Sequence, residues 1–453
     1  MNRRKFMVSV GVGSLAAAAT RGAATEGSAR KRNVVLFVTD DQGTDDAGCF
    51  GNPIVKTPGI DALAREGVRM TSAYCTTPSC SPSRSVLLTG MHNHANGQYG
   101  LEHSYHHFAS FPNLKTLPVL LAEAGYRTAS AGKFHVAPKD TYHFQHTIGG
   151  ASPVAMADNC RDVIASSENS PFFLYFCVTE PHRPFKREGS EPINPSDVRV
   201  PAFLPDLPES REELAEYYAS IQRADSGLVR LQEILRETGH WDDTLIICLS
   251  DNGMPFPGAK TNLYEPGIHL PCVIRNPYSA RREAACDAMV TWADVAPTIL
   301  DFAQVPPVAG FHGRSFLSAV ESDSPQGWDE TYASHTFHEV TMYYPMRMIR
   351  TRTHKLIWNI AHGLEFPFAS DLWGSKTWQA VLARGDSHYG PRSVEAYRNR
   401  PAFELYDLET DPNEVNNLAS DPNHADILVN LKTRLKAFQA ATKDPWILKW
   451  DRE

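Results

Sequence analysis

The sequence predicts an α/β fold with a large, mostly parallel sheet flanked by helices, followed by a smaller C-terminal α+β portion with an antiparallel sheet. Three short apolar runs carry the first part: VVLFV at 34–38, FFLYFCV at 172–178 and LIICL at 245–249. Unbroken apolarity over so few residues, rich in β-formers, is what a strand covered on both faces shows. Helical patterns lie between these runs, and strands alternating with helices build a parallel sheet. After about residue 330 the pattern changes to strand following strand, which carries the second part.

In chain order, the run at 34–38 leads into Asp40 and Asp41. A helix is expected over 116–124. The run at 172–178 leads into Glu180-Pro181-His182. A longer helix spans 212–237, where Leu214, Tyr218, Ile221, Leu228, Leu231 and Leu235 recur at helical spacing and Gly239 closes it. The run at 245–249 leads into Asp251 and Asn252. Residues 346–360 read as two strands with a hairpin around Arg352-Thr353-His354, and 404–408 as another, with a turn at 411–414. Residues 426–441 form an amphipathic helix with Ile427, Leu428, Leu431, Leu435 and Phe438 on one side. The expected divisions are 1–28, an export signal, 29–335, the α/β catalytic domain, and 336–453, the α+β subdomain.

Composition places limits on function. The 453 residues are 42% hydrophobic and 21% charged, so the chain is neither disordered nor low in complexity. Forty-four basic residues against 52 acidic give a net charge of −8, which argues against nucleic-acid binding. An anionic substrate would need a local basic site. Arg3 and Arg4 precede a short, weakly apolar run over 7–19, the pattern of a twin-arginine-like export signal. The expected location is therefore the periplasm or the exterior of a bacterial cell, and no later stretch is apolar enough for a stable membrane span. The eight cysteines show neither zinc-type spacing nor the density of a disulfide scaffold.

The strand ends carry the first chemical signal. Open α/β sheets bind ligands beyond the carboxyl ends of their strands, and here three runs each deliver polar or titratable residues to that rim. Acidic turn residues on a surface loop would account for one such end, not for three. Asp40, Asp41, Asp251 and Asn252 offer only oxygen ligands, the set a hard cation such as Ca²⁺ or Mg²⁺ takes.

The second signal is CSPSRSVLLTG at 80–90: a cysteine with Pro82 at +2 and Arg84 at +4, then an apolar turn ending in Thr-Gly. This resembles the signature of type I sulfatases, in which the cysteine becomes formylglycine. The resemblance runs over about residues 33–448. Gly132-Lys133-Phe134-His135, Glu180-Pro181-His182, Ser250-Asp251-Asn252-Gly253 and Lys260 before Tyr264-Glu265-Pro266-Gly267 fall in the family's order. Among sulfatases the chain is most similar to the sulfamidases, the N-sulfoglucosamine sulfohydrolases. That likeness rests on Asn96-Gly97, His106-His107-Phe108, Pro255-Phe256-Pro257, Thr261-Asn262-Leu263-Tyr264, His338-Glu339-Val340-Thr341-Met342, Tyr344-Pro345-Met346-Arg347 and Asp444-Pro445-Trp446. Lys260 departs from the sulfamidase pattern, which has arginine there.

The resemblance implies an alkaline-phosphatase-like sulfatase fold and removal of the N-linked sulfo group from N-sulfoglucosamine residues of heparan sulfate or heparin. It implies one Ca²⁺, in preference to Mg²⁺, held by Asp40, Asp41, Asp251, Asn252 and the modified Cys80. In that scheme a hydrated aldehyde at position 80 attacks sulfur. Arg84, Lys133 and Lys260 meet the sulfo charge, His135 is the base that releases sulfate, and His182 protonates the leaving group. His106, His107, Glu180, His338, Glu339 and Arg347 are candidate sugar contacts, while His92, His94 and His103 read as structural. The partners implied are the sulfated sugar, a formylglycine-generating enzyme during maturation and a second copy in a homodimer. An O-sulfatase on a glycosaminoglycan or other sulfated sugar, a phosphonate or phosphodiester hydrolase, and a non-catalytic sulfated-glycan binder remain alternatives. Intact Cys80, Pro82 and Arg84 speak against the last.

Overall fold

The protein is described by a computed structural model covering residues 32–166 and 170–452; the expected export signal lies outside the described residues. The main sheet has eight strands. Their spatial order is His146–Ile148, Arg127–Gly132, Phe172–Cys177, Asn33–Thr39, Thr244–Ser250, Cys272–Arg275, Val68–Met70 and Ala284–Cys286. All neighbours run parallel except Cys272–Arg275, which is antiparallel to both of its own. The sheet is therefore mixed but parallel where it matters, because the three apolar runs are its three central strands.

Period-2 alternation explains why those runs show no polar face. Val34, Leu36 and Val38 point into one core, and Val35 and Phe37 into another on the opposite side. Helix Pro208–Glu237 spans both layers, with Leu214, Tyr218 and Ile221 in the first core and Leu228, Leu231 and Leu235 in the second. Its Asp225 accepts from the backbone N–H groups of Gly59 and Ile60 at 2.8 Å, satisfying orphan donors at the start of helix Pro58–Arg65.

The second sheet is antiparallel, in the order Glu330–Phe337, Tyr343–Thr351, His354–Asn359 and Phe403–Asp407. Its first strand begins at Glu330 and so straddles the expected division at 335. This strand joins the α/β part through the N–H of Ser334 on Thr76 O (2.9 Å) and of Phe337 on Tyr99 O (3.2 Å). Helix Ala425–Ala441 covers one face with Leu431 and Leu435, while Phe438 stacks on Tyr332 with ring centroids 3.9 Å apart. Among the described residues, no helix is long and apolar enough to cross a membrane.

One expected sugar contact belongs to this scaffold instead. Arg347 is buried and forked onto Asp444, with Nε–Oδ2 at 2.5 Å and Nη2–Oδ1 at 2.9 Å, and its remaining donor meets the carbonyls of His335 and Met346. Each of its three nitrogens is bonded to the protein and the residue is buried, so the assignment to the sugar is corrected: Arg347 fastens the C-terminal segment to the second sheet. Asp444→Ala would strand a buried guanidinium. It is expected to cost about 3–5 kcal/mol, read as a lowered denaturant midpoint, with the kcat of the folded fraction unchanged.

Candidate active site

Four neighbouring strand ends build the site. Asn33–Thr39 delivers Asp40 and Asp41, Thr244–Ser250 delivers Asp251 and Asn252, and Phe172–Cys177 is followed by His182. The fourth, Arg127–Gly132, delivers Lys133 and His135. Gly132 has φ +78, and a Cβ there would lie 2.1 Å from the carbonyl oxygen of Cys177, so only glycine lets the chain turn at this point. Asp41 (φ 70), His135 (φ 56) and Thr261 (φ 66), next to Lys260, also hold left-handed backbone. Three of the ten non-glycine residues with left-handed backbone among the described residues thus lie at this rim.

Helix Cys80–Thr89 points its N-terminus at the rim, and all ten of its residues are buried. Cys80 opens the first turn, where Pro82 costs little because N–H groups there have no helical partner. Arg84 follows one turn later on the same face. The spacing of the motif is thus the spacing of one helical turn. Cys80 is 1% exposed, with Sγ 3.9 Å from Asp41 Oδ1.

Charges interlock around this cysteine. Arg84 Nε donates to Asp251 Oδ2 at 2.9 Å, and its Nη2 lies 3.6 Å from Asp40 Oδ1. Lys133 Nζ meets Asp40 Oδ2 at 2.5 Å. Lys260 Nζ bridges Asp41 Oδ2 at 2.8 Å and Asp371 Oδ2 at 2.9 Å. His182 Nε2 lies 3.8 Å and 3.9 Å from the same two oxygens. Burial opposes the charged form of Asp40, but Lys133, His182 and Arg84 outweigh it and hold the carboxyl well below its usual range. Burial raises Asp251 to about 7, with Asp40 and Asp41 adding to the rise and Arg84 opposing it. Burial also works against charge on Lys260, yet Asp371 and Asp41 keep it well above its ordinary value.

The residues present fit a divalent cation. Asp40, Cys80 and Asp251 place ligand atoms within 4.8 Å of one another. Asp40 Oδ1 and Asn252 Oδ1 are buried without a hydrogen-bond partner among the described residues, while Asn252 Nδ2 is committed to Asp41 Oδ1 at 2.7 Å. Four carboxylates (Asp40, Asp41, Asp251, Asp371) face three fixed cations (Arg84, Lys133, Lys260). Without a bound metal, that balance would repel an anion.

Above the cluster lies a cavity of about 500 Å³. Cys80, Asp40, Lys133, His135 and His182 line it, together with the expected sugar contacts His106, His338 and Glu339. His338 Nδ1 is fixed by Ser79 Oγ at 2.8 Å, and His106 Nδ1 accepts from Val340 N at 3.1 Å. Two other expected contacts are corrected. Glu180 is buried against Arg223 (2.9 Å) and does not line the cavity. His107 is exposed and likewise points elsewhere. Its neighbourhood supplies His103 instead, whose Nδ1 lies 2.5 Å from His135 Nε2. Burial, followed by Lys133 and Arg84, holds His135 well below its usual range.

Asp371 was not legible in the sequence: it follows no apolar strand and belongs to no motif recognised there. It sits in the short helix Ser370–Trp373, anchored where Glu339 Oε1 accepts from Ser370 N at 2.8 Å and Ser370 Oγ at 2.5 Å. Buried Glu213 ties this region to the loop carrying His182. It accepts from Arg183 Nη1 and Lys376 N, each at 2.7 Å, and from Thr377 N at 3.0 Å.

Comparison with known proteins agrees with this geometry. Residues 32–305 match the Sulfatase family model, and residues 259–366 match the model described as N-sulphoglucosamine sulphohydrolase, C-terminal. The chain is 36% identical to human N-sulphoglucosamine sulphohydrolase over 92% of each chain. It is 28% identical to an ulvan-active sulfatase of Formosa agariphila, over 91% of this chain and 81% of that one. A protein solved in complex with its substrate D-glucosamine-2-N,6-O-disulfate shares the fold at a TM-score of 0.71 and 19% identity, covering 92% of this chain and 99% of that one. With the motif on one helical turn and the acidic rim facing it, the chain belongs to the sulfatase family, on the branch that carries the N-sulphoglucosamine sulphohydrolase C-terminal region.

Proposed function

We propose that this enzyme is a sulfohydrolase that removes the N-linked sulfo group from N-sulfoglucosamine residues of heparan sulfate or heparin. The observation that carries this reading is the end of helix Cys80–Thr89, set against Asp40, Asp41, Asp251 and Asn252, in a chain 36% identical to the human N-sulphoglucosamine sulphohydrolase. Burial pushes the Cys80 thiol well above its usual range although Lys133 and Lys260 pull it down. An unmodified thiol there is protonated and a poor nucleophile. We therefore assign position 80 to formylglycine, whose hydrated aldehyde supplies one hydroxyl to attack sulfur and a second, already in place, to release sulfate. Asp40, Asp41, Asp251 and Asn252 would hold a Ca²⁺, which when bound would supply Lewis acidity and positive charge at this site.

The chain's own residues do the rest. Arg84 holds Asp251, and Lys133 and Lys260 present fixed positive charge where sulfo oxygens gather it. His135, held neutral, can take a proton at Nε2 or pass it to His103. His182, which lines the cavity with Nε2 between Asp41 and Asp371, is assigned to protonate the leaving group. Amine leaving groups must be protonated as they depart, so His182→Ala is expected to lower kcat/KM on N-sulfoglucosamine by roughly 10²–10⁴-fold and on an activated aryl sulfate far less. Equal losses on the two would remove the acid role from His182.

The decisive experiment is sulfate release from N-sulfoglucosamine by metal-loaded protein whose peptide around residue 80 has the mass of formylglycine. Release with a free amine is the expected result. Its failure in verified enzyme would transfer the site to O-sulfated sugars. The twin-arginine-like segment supports export to the periplasm, and a formylglycine-generating enzyme is the maturation partner this chemistry requires.

A further inference from the structure

We infer that Asp371 sets the preference for sulfur–nitrogen over sulfur–oxygen bonds, by accepting the N–H of the sulfamate and pairing with the ammonium that leaves. The inference rests on the reading of the site as an N-sulfohydrolase. It begins with an ordering in space. Cys80 Sγ approaches Asp41, Asp41 meets Lys260 and His182, and both of these meet Asp371 on their other side. Asp371 is thus a counterpart of Asp41 across the Lys260–His182 pair. In the proposed reading Asp41 serves the side of the nucleophile, and Asp371, across Lys260 and His182, takes the side of the leaving group.

An extra carboxylate in a pocket for an anion calls for an explanation. Lys260 already has Asp41 Oδ2 2.8 Å from its Nζ, so Asp371 is a second carboxylate on the same cation. The Asp371 side chain is 20% exposed and lines the cavity, and its Oδ1 has no hydrogen-bond partner among the described residues. Lys260 at 2.9 Å and His182 at 3.9 Å both approach Oδ2, so a donor entering the cavity would meet the exposed part of this carboxylate. The bridging atom distinguishes the two substrate classes. In a sulfate ester it is an oxygen with lone pairs only, which a carboxylate repels. In a sulfamate it is an N–H, which a carboxylate accepts.

The difference grows along the reaction. Overall, R–NH–SO₃⁻ and water give R–NH₃⁺ and SO₄²⁻. The N–S bond breaks with its electron pair staying on nitrogen, and nitrogen gains a proton from His182 and a second from water. Positive charge thus appears beside Asp371, which is not consumed. A group that meets charge present only as the bond breaks raises the rate of that bond's cleavage over its competitor's. An alcohol leaves uncharged and gains nothing.

The carboxylate is also held in place. Glu339 fastens Ser370, and Glu213 fastens both the following helix Lys376–Arg384 and Arg183, the neighbour of His182. The acid and the proposed ammonium acceptor therefore share one support.

The test compares kcat/KM of full-length, matured wild type and Asp371→Asn on N-sulfoglucosamine and on an aryl sulfate. The substitution removes a partner of Lys260 and is expected to lower both, but the first by about tenfold or more beyond the second. Equal losses would overturn the inference and assign Asp371 to general positioning of Lys260. Should the variant not fold, wild type alone decides. Glucosamine, protonated at neutral pH, is expected to inhibit N-sulfoglucosamine turnover at least about tenfold more tightly than glucose, and equal inhibition would overturn the inference. If wild type itself releases no sulfate from N-sulfoglucosamine, the underlying reading fails and takes this inference with it. Turnover by wild type with equal losses in the variant defeats the inference alone.

Discussion

Replacing Cys80 with alanine is expected to abolish sulfate release while leaving the fold intact. The kcat loss should be on the order of 10⁴-fold or more, as for other enzymes that lose a covalent nucleophile. The fold should survive because Cys80 stands in the first turn of its helix, where alanine is at least as good a helix former. Among the described residues its sulfur has one long hydrogen-bond contact, 3.9 Å to Asp41. Circular dichroism and the thermal midpoint check the fold, and released sulfate checks the activity. Turnover retained in this variant would place the nucleophile elsewhere and leave the helix as scaffold only.

Removing the divalent cation should have an effect of similar size, but reversibly. Asp40, Asp41, Asp251 and Asp371 outnumber Arg84, Lys133 and Lys260, so the bare site would oppose a sulfo anion. A bound cation contributes several kcal/mol to transition-state charge stabilisation, so exhaustive chelation is expected to lower the rate by about 10³-fold or more. Ca²⁺ should restore it, and Mg²⁺ less well. A thermal midpoint that rises on adding Ca²⁺ would report binding independently of turnover. Full activity in excess chelator would exclude the carboxylate cluster as a metal site.

Most of the catalytic cluster could be read from sequence because each member follows a local signal. The runs at 34–38 and 245–249 are unbroken because both of their faces are buried, and the first polar residues after them are necessarily at the rim. The Cys80–Arg84 spacing is one helical turn. The strand Arg127–Gly132 was missed as a strand because RTASAG has no apolar run; small residues fill it where the sheet is crowded, as Gly132 against Cys177 shows. The substrate wall was harder to read for a different reason. It is assembled from loops whose side chains converge only in three dimensions, so nothing periodic announces Asp371 or His103. Glu180 and Arg347 misled because a charged residue near a motif is just as often a buried strut, here to Arg223 and Asp444. The second sheet and its helix followed their alternation closely, but Glu330–Phe337 began the sheet earlier than the change in pattern suggested.

The burial of helix Cys80–Thr89 also sets an order of events. At 1% exposure, with every residue of its helix enclosed, Cys80 offers no surface on which another enzyme could close its own active site around the thiol. On the proposed formylglycine chemistry, maturation would have to reach an extended chain, before the central strands pair. Folding and modification compete for the same molecules, so the yield of active enzyme is fixed by which is faster. On that chemistry, a chain that folds first would keep its shape and lack its nucleophile.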